Sequence, residues 1–133
     1  GLMARSRDLV LVASAWLEPD FIEPETRELF WTPVRLNDGT VNEQSYALGW
    51  RADQTVTTFG EGRESTRRVH HGGVSRGAMS WMVLYPELGL AVAVNINTNT
   101  PDFTDFARAE TDILLAFAQA AGRMPPLESE HTP

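Results

Sequence analysis

Ala78-Met79-Ser80-Trp81-Met82-Val83-Leu84-Tyr85, followed by Pro86-Glu87-Leu88-Gly89 and then Leu90-Ala91-Val92-Ala93-Val94-Asn95-Ile96, is the stretch that decides the fold. The first eight residues read as a strand with Met79, Trp81 and Val83 on one face and Met82 and Leu84 on the other. A strand that is apolar on both faces belongs inside a sheet covered on both sides. Pro86-Glu87-Leu88-Gly89 carries the residues of a tight turn, and the second run is again apolar throughout. The two runs therefore predict an antiparallel hairpin at the centre of a layered domain.

Upstream, residues 67–71 read as the preceding strand, leading into the glycine-rich Gly72-Gly73-Val74-Ser75-Arg76-Gly77. Residues 60–65 read as a polar loop. Tyr46, Leu48 and Trp50 alternate with Ala47 and Gly49, which predicts a strand, turned at Asp53-Gln54 into 55–59. Asn37-Asp38-Gly39-Thr40 predicts a turn, its Asp-Gly pair supplying positive φ cheaply. Two helices come first. One is capped by Ser6, with Leu9, Val10, Ala13, Trp16 and Leu17 on one face, and stops at Pro19. The other opens at Pro24, with Thr26, Leu29 and Phe30 inward, and ends before Pro33.

Downstream, Thr100 as cap, Pro101 as first helical residue and Asp102 against the dipole predict a helix. Its stripe is Phe103, Phe106, Ala107, Ile113, Leu114, Phe117 and Ala118, and Gly122 ends it. The fold class expected is α+β, an antiparallel sheet meander flanked by helices. Residues 1–122 form the folded part and 123–133, with Pro125-Pro126, a flexible tail.

Composition narrows the function classes. In 133 residues, 42% are hydrophobic and 22% charged, ordinary globular usage. No apolar run approaches the roughly 20 residues of a membrane helix, and 1–7 carry no signal-peptide core. There is no Cys, which excludes disulfides, thiolate nucleophiles and Cys-based zinc sites. There is no Lys either, all 11 basic residues being Arg, so neither a Schiff base nor a Ser-x-x-Lys pair exists within these residues. The net charge of −7 is opposite to that of a nucleic-acid binder, so no nucleic acid is expected as partner.

His70-His71-Gly72-Gly73 is the densest chemical feature. Adjacent residues on a strand point to opposite faces, so the pair cannot hold one metal ion, and no metal or cofactor is expected. His131 lies in the tail. Gly73-Val74-Ser75-Arg76-Gly77 matches the Gly-x-Ser-x-Gly nucleophile elbow. That elbow needs a helix after the turn and a histidine downstream, whereas a strand follows here, so Ser75 reads better as a loop residue. Asp102 and Asp105 are explained by the helix dipole, and the four Trp residues by core packing.

Four stretches, in order, resemble the C-terminal portion of the serine β-lactamase and penicillin-binding-protein superfamily, in its class C-like, esterase and D-aminopeptidase branch. They are Gly1-Leu2-Met3-Ala4-Arg5-Ser6-Arg7-Asp8-Leu9, Pro24-Glu25-Thr26 with Thr32-Pro33, Tyr46-Ala47-Leu48-Gly49-Trp50, and His71-Gly72-Gly73 with Gly77-Ala78-Met79-Ser80 and the hairpin after it. The last looks like the family's third motif, Lys-Thr-Gly or His-Ser/Thr-Gly, whose basic residue supports proton transfer and whose following backbone N–H lines the oxyanion hole.

Two registers fit. With His71 as the basic residue, Gly72 stands at the hydroxyl position and Val74 supplies the N–H. With His70, His71 replaces the hydroxyl and Gly73 supplies it. Neither register has the usual hydroxyl, which leans toward an esterase-like activity. The family's Ser-x-x-Lys and Tyr-x-Asn lie upstream of everything matched.

The resemblance thus implies a fragment contributing one wall of a hydrolase site that cleaves a small ester, amide or β-lactam through an acyl-enzyme. Its expected partner is the missing N-terminal segment, a separate chain of the same protein, or a second copy. The competing readings are a non-catalytic binding or scaffold module on a degenerate copy of the fold and, behind it, a stand-alone hydrolase using Ser75.

Overall fold

The computed structural model describes residues 3–59 and 62–120. The elements run α1 (Ser6–Leu17), α2 (Pro24–Trp31), β1 (Arg51–Phe59), β2 (Gly62–Ser75), β3 (Ala78–Tyr85), β4 (Leu90–Ile96) and α3 (Phe103–Ala120). The four strands form one antiparallel sheet in sequence order, β1-β2-β3-β4. The fold is the expected α+β layering, and the hairpin 78–96 falls where its sequence predicts. A single 3-10 turn, Pro86–Leu88, closes that hairpin, with Gly89 in the left-handed region at φ 61°.

The two faces of β3 divide the core. Met79, Trp81, Val83 and Tyr85 join Val92, Phe106 and Leu114 beneath α3. Leu84 joins Ala13, Trp31, Trp50, Ala52 and Val69 beneath α1 and α2. Val83 and Leu84, neighbours on opposite faces, are both fully buried. Each such burial is worth roughly 1.5–3 kcal/mol.

α1 is capped one residue earlier than its sequence suggests. Arg5 is the N-cap, and the Asp8 carboxylate accepts from the Arg5 backbone N–H at 3.3 Å and from its guanidinium at 3.0 Å. At the other end, Arg27 of α2 reaches the carbonyls of Trp16 and Leu17 at 3.3 and 3.4 Å, satisfying acceptors that a helix end leaves open. The inward face of α2 is Arg27, Phe30 and Trp31, not Thr26 and Leu29; Leu29 is 65% exposed. Trp31 sets that face, being 1% exposed, with the guanidiniums of Arg27 and Arg67 over its ring at 5.3 and 5.6 Å. Arg67 also clamps Glu28 with two bonds and the Trp31 carbonyl with a third, tying α2 to β2.

Three strand boundaries depart from expectation. Tyr46–Trp50 is a corner rather than a strand. Gly49 takes φ +78°, and the Ala47 N–H donates to the Trp50 carbonyl at 2.7 Å. The alternation of Tyr46, Leu48 and Trp50 does not follow burial: Ala47 and Trp50 are buried at the corner, whereas Tyr46 and Leu48 are exposed. Asp53-Gln54 does not turn, since both lie inside β1, paired with Arg68 and Arg67. An Asp is tolerated in mid-strand because its carboxylate meets a cross-strand guanidinium. β2 is longer than 67–71 at both ends, taking in Gly62–Ser65 of the expected loop and Gly72-Gly73. Gly60 and Glu61 lie outside the described residues.

α3 starts at Phe103 rather than Pro101, because Asp102 is the residue that caps it, its carboxylate accepting from the Thr104 N–H at 2.8 Å. Phe106, Leu114 and Ala118 of the predicted stripe are buried, whereas Phe117 is exposed. The expected stop at Gly122 and the tail 123–133 lie outside the described residues. Among the described residues no helix is long and apolar enough to cross a membrane.

Candidate active site

β1 pairs with β2 only between Arg51↔His70 and Phe59↔Gly62, while β2 pairs with β3 from Val69↔Leu84 to Ser75↔Ala78. Residues 71–75 of β2 are therefore bonded on one side alone among the described residues. The corner at 46–50 causes this, since it carries the chain away from the sheet just before Arg51. Peptide groups alternate in direction along a strand, so one of the Gly73 and Val74 N–H groups faces this open edge and the other faces β3.

His70 and His71 take opposite faces, as the pleat requires. His70 pairs with Val83 and shares the α3 face; it is 5% exposed. Its ring packs 4.7 Å from Trp81, and its Nε2 lies 3.1 Å from Asp53 Oδ2. Asp53 takes two further bonds from Arg68, both at 2.9 Å. Burial pushes the Asp53 carboxyl up, but the hydrogen bonds from His70 and Arg68 and the Arg68 charge outweigh it and hold the group well below the usual carboxylate range.

The polar layer continues through Trp81, whose indole N–H donates to Glu110 at 2.8 Å, and Tyr85, whose hydroxyl donates to the other Glu110 oxygen. Glu110 is 1% exposed. Burial and the neighbouring Glu110 charge push the Tyr85 phenol up, so it stays protonated and donates.

His71 pairs with Met82 and lies half-buried on the α1 and α2 face. Its Nε2 is 2.9 Å from the Tyr46 hydroxyl, the rings meeting edge to face at 5.7 Å. Asn42 holds Tyr46 at both backbone groups: its Oδ1 accepts from the Tyr46 N–H at 2.7 Å, and its Nδ2 donates to the Tyr46 carbonyl at 2.9 Å. Ser45 beside it is forced to φ 51°. The Arg51 guanidinium covers the Tyr46 ring at 5.8 Å and is itself held by Gln44 at 2.7 Å. Tyr46 is the site residue that sequence reasoning missed. Its signal was a Tyr after Asn42 and Ser45, read there as the start of a strand.

Gly72 faces α3. A Cβ there would stand 2.6 Å from Phe103 Cζ and 3.0 Å from Trp81 Cε3, so the Phe103 ring fills the space a side chain would need. Gly73 faces the other way onto Ser80 with nothing nearer than 3.9 Å, and Val74 is exposed. A depression of about 520 Å³ lies along Gly73, Val74 and Ser75, walled by Met3, Leu9 and Ile96. Ser75 closes the β2–β3 hairpin, its hydroxyl directed at the Ala78 carbonyl at 3.4 Å. A strand follows, so the strand-turn-helix elbow is absent. Among the described residues no three His, Asp or Glu side chains gather as metal ligands do.

The family model described as Beta-lactamase matches residues 1–117. The chain is 31% identical over 80 residues to "Serine beta-lactamase-like protein LACTB, mitochondrial" of Mus musculus and of Bos taurus, covering 59% of this chain and 14% of the relative in each case. It is 31% identical over 72 residues to the Homo sapiens protein of that name, covering 53% and 13%. The chain thus spans about a seventh of the length of these relatives. No solved structure gives a significant match. A match over 117 of 133 residues, on a sheet and helices of the expected order, makes the chain a member of the beta-lactamase family.

Proposed function

We propose that this chain forms one wall of a serine-hydrolase site that cleaves a small ester, amide or β-lactam through an acyl-enzyme. The observation that carries the reading is the half-open β2, which leaves one N–H of the Gly73–Val74 pair unpaired by a strand among the described residues. That N–H lies just after His71 and along an open depression lined by Gly73, Val74 and Ser75. In this reading a serine from polypeptide outside these 133 residues attacks the substrate carbonyl, and the leaving group departs as the tetrahedral intermediate collapses. A backbone N–H of Val74 stabilises the developing oxyanion. The serine proton passes to the leaving group through a base supplied with that serine, and water then releases the acyl group. His71 supports these transfers as a hydrogen-bond donor to the developing negative charge.

The register with His71 is favoured over that with His70 and Gly73, because the His70 ring is already engaged by Asp53 and Trp81 on the opposite face. With Phe103 over Gly72, the usual hydroxyl position is apolar, which favours neutral esters over substrates bearing a carboxylate. Substrate turnover here depends on polypeptide that supplies the nucleophile.

The test is to expose the full gene product, and beside it the 133-residue chain, to a p-nitrophenyl ester and a fluorescent β-lactam, then map the acyl adduct by mass. The reading expects an adduct on a serine outside these residues. An adduct on Ser75 would select the stand-alone hydrolase, and the absence of adduct and turnover in both would select the non-catalytic scaffold.

A further inference from the structure

We propose that Tyr46 is the positioning residue for His71, fixing which imidazole nitrogen carries the proton. The role of His71 rests on the hydrolase reading above, but the tautomer lock does not. A neutral imidazole has one donor and one acceptor nitrogen, and the partner of one nitrogen decides the state of the other. The only side-chain hydrogen bond His71 makes among the described residues is to Tyr46, at 2.9 Å through Nε2. A phenol O–H is a better donor than a neutral imidazole N–H, so Tyr46 donates, Nε2 accepts, and the ring proton sits on Nδ1.

The lock is effective because Tyr46 is itself held. Asn42 bonds both backbone groups of Tyr46, at 2.7 and 2.9 Å, and bonds the Val34 carbonyl at 2.9 Å, tying the corner to the loop before it. The left-handed Ser45 and the Arg51 guanidinium over the ring fix the approach from the other sides. This is more machinery than a surface tyrosine, 36% exposed, needs for packing. A positive φ at a non-glycine residue costs on the order of 1–3 kcal/mol and persists where the surroundings impose it, which is common at functional sites. A ring presented in one tautomer and one orientation offers the same nitrogen to every substrate. Losing that orientation costs up to about 10²-fold in rate for a displacement near 1 Å.

The experiment reads the imidazole nitrogens of the ¹⁵N-labelled 133-residue chain by long-range ¹H–¹⁵N correlation at a pH where His71 is neutral. The proposal expects a single His71 tautomer, protonated on Nδ1, and its replacement by a mixture in Tyr46→Phe while amide dispersion is retained. Asn42→Ala, which frees the backbone of Tyr46, is expected to move His71 the same way, and decides the matter if Tyr46→Phe does not fold. A His71 protonated on Nε2, or a spectrum unchanged by the variant, overturns the proposal.

In the full gene product, Tyr46→Phe is expected to lower kcat for a p-nitrophenyl ester at least about tenfold with KM within about twofold. An unchanged kcat, alongside a lost tautomer, overturns the positioning role. If the unmodified gene product turns over no ester, the hydrolase reading falls, and the tautomer result still decides the lock.

Discussion

Gly72 shows how one missing side chain can be a packing requirement. Phe103 Cζ stands 2.6 Å from where a Cβ would be, so Gly72→Ala forces the Phe103 ring off β2. Overpacking of this kind costs about 1–3 kcal/mol, read as a lower urea midpoint at unchanged slope. An unchanged midpoint would mean that Phe103 does not pack there.

Asp53 carries the second prediction at this scale. Its carboxyl is held below its ordinary 3.8 in the folded chain, so the stability it contributes is full above that value and fades as pH falls through it and below. Asp53→Asn is expected to cost about 2 kcal/mol at pH 7, less than the 3–5 kcal/mol of a fully buried pair because Asp53 stays a third exposed. The variant's stability is also expected to depend less on pH between about 5 and 3. Parallel unfolding curves for both proteins across that range would contradict it.

Single residues were legible in sequence where geometry follows from alternation alone, as with His70 and His71 on opposite faces. Asp53 was not legible, because only the β1–β2 register brings Arg68 and His70 to it.

Among the elements, β3 and β4 were readable because both faces of each are covered, and unbroken apolarity at strand length points to a buried strand. The corner at 46–50 imitates a strand because Tyr46, Leu48 and Trp50 alternate with small residues although Trp50 alone of the three is buried. The extension of β2 is hidden because polar residues such as Arg63 and Glu64 carry no strand signature. The helical period locates α3, with its start at Phe103 rather than Pro101, yet its apolar stripe hides Glu110 in the middle. That carboxylate is the acceptor for Trp81 and Tyr85, so Glu110→Leu leaves two buried donors without a partner, at roughly 1–3 kcal/mol each. Adding Tyr85→Phe to that variant removes one orphan and is expected to recover part of the loss. A double-mutant cycle in chemical denaturation checks this, and strict additivity of the two costs would contradict the network.

At the scale of the molecule, β4 is the exposed feature. It pairs with β3 alone among the described residues, carries no charge or proline from Leu90 to Ile96, and borders an apolar groove of about 240 Å³ lined by Val10, Ile113, Leu114 and Phe117. Edge strands without such protection pair with other strands, and in a pure solution the only one available is a second copy. Sedimentation at tens of micromolar is expected to show a dimer or larger species, and Ala93→Lys to shift it toward monomer. A monomer at those concentrations would contradict this.

Everything proposed for the site turns on β2 presenting His71, and not His70, to the reacting groups. In the full gene product, p-nitrophenyl ester turnover per folded molecule is measured for His71→Ala and His70→Ala, with folded fraction taken from the melting curve. The expected result is at least about a tenfold loss for His71→Ala with the fold intact, and for His70→Ala a lowered Tm with the rate per folded molecule unchanged. Equal residual rates for the two variants, or a loss confined to His70→Ala, would contradict it.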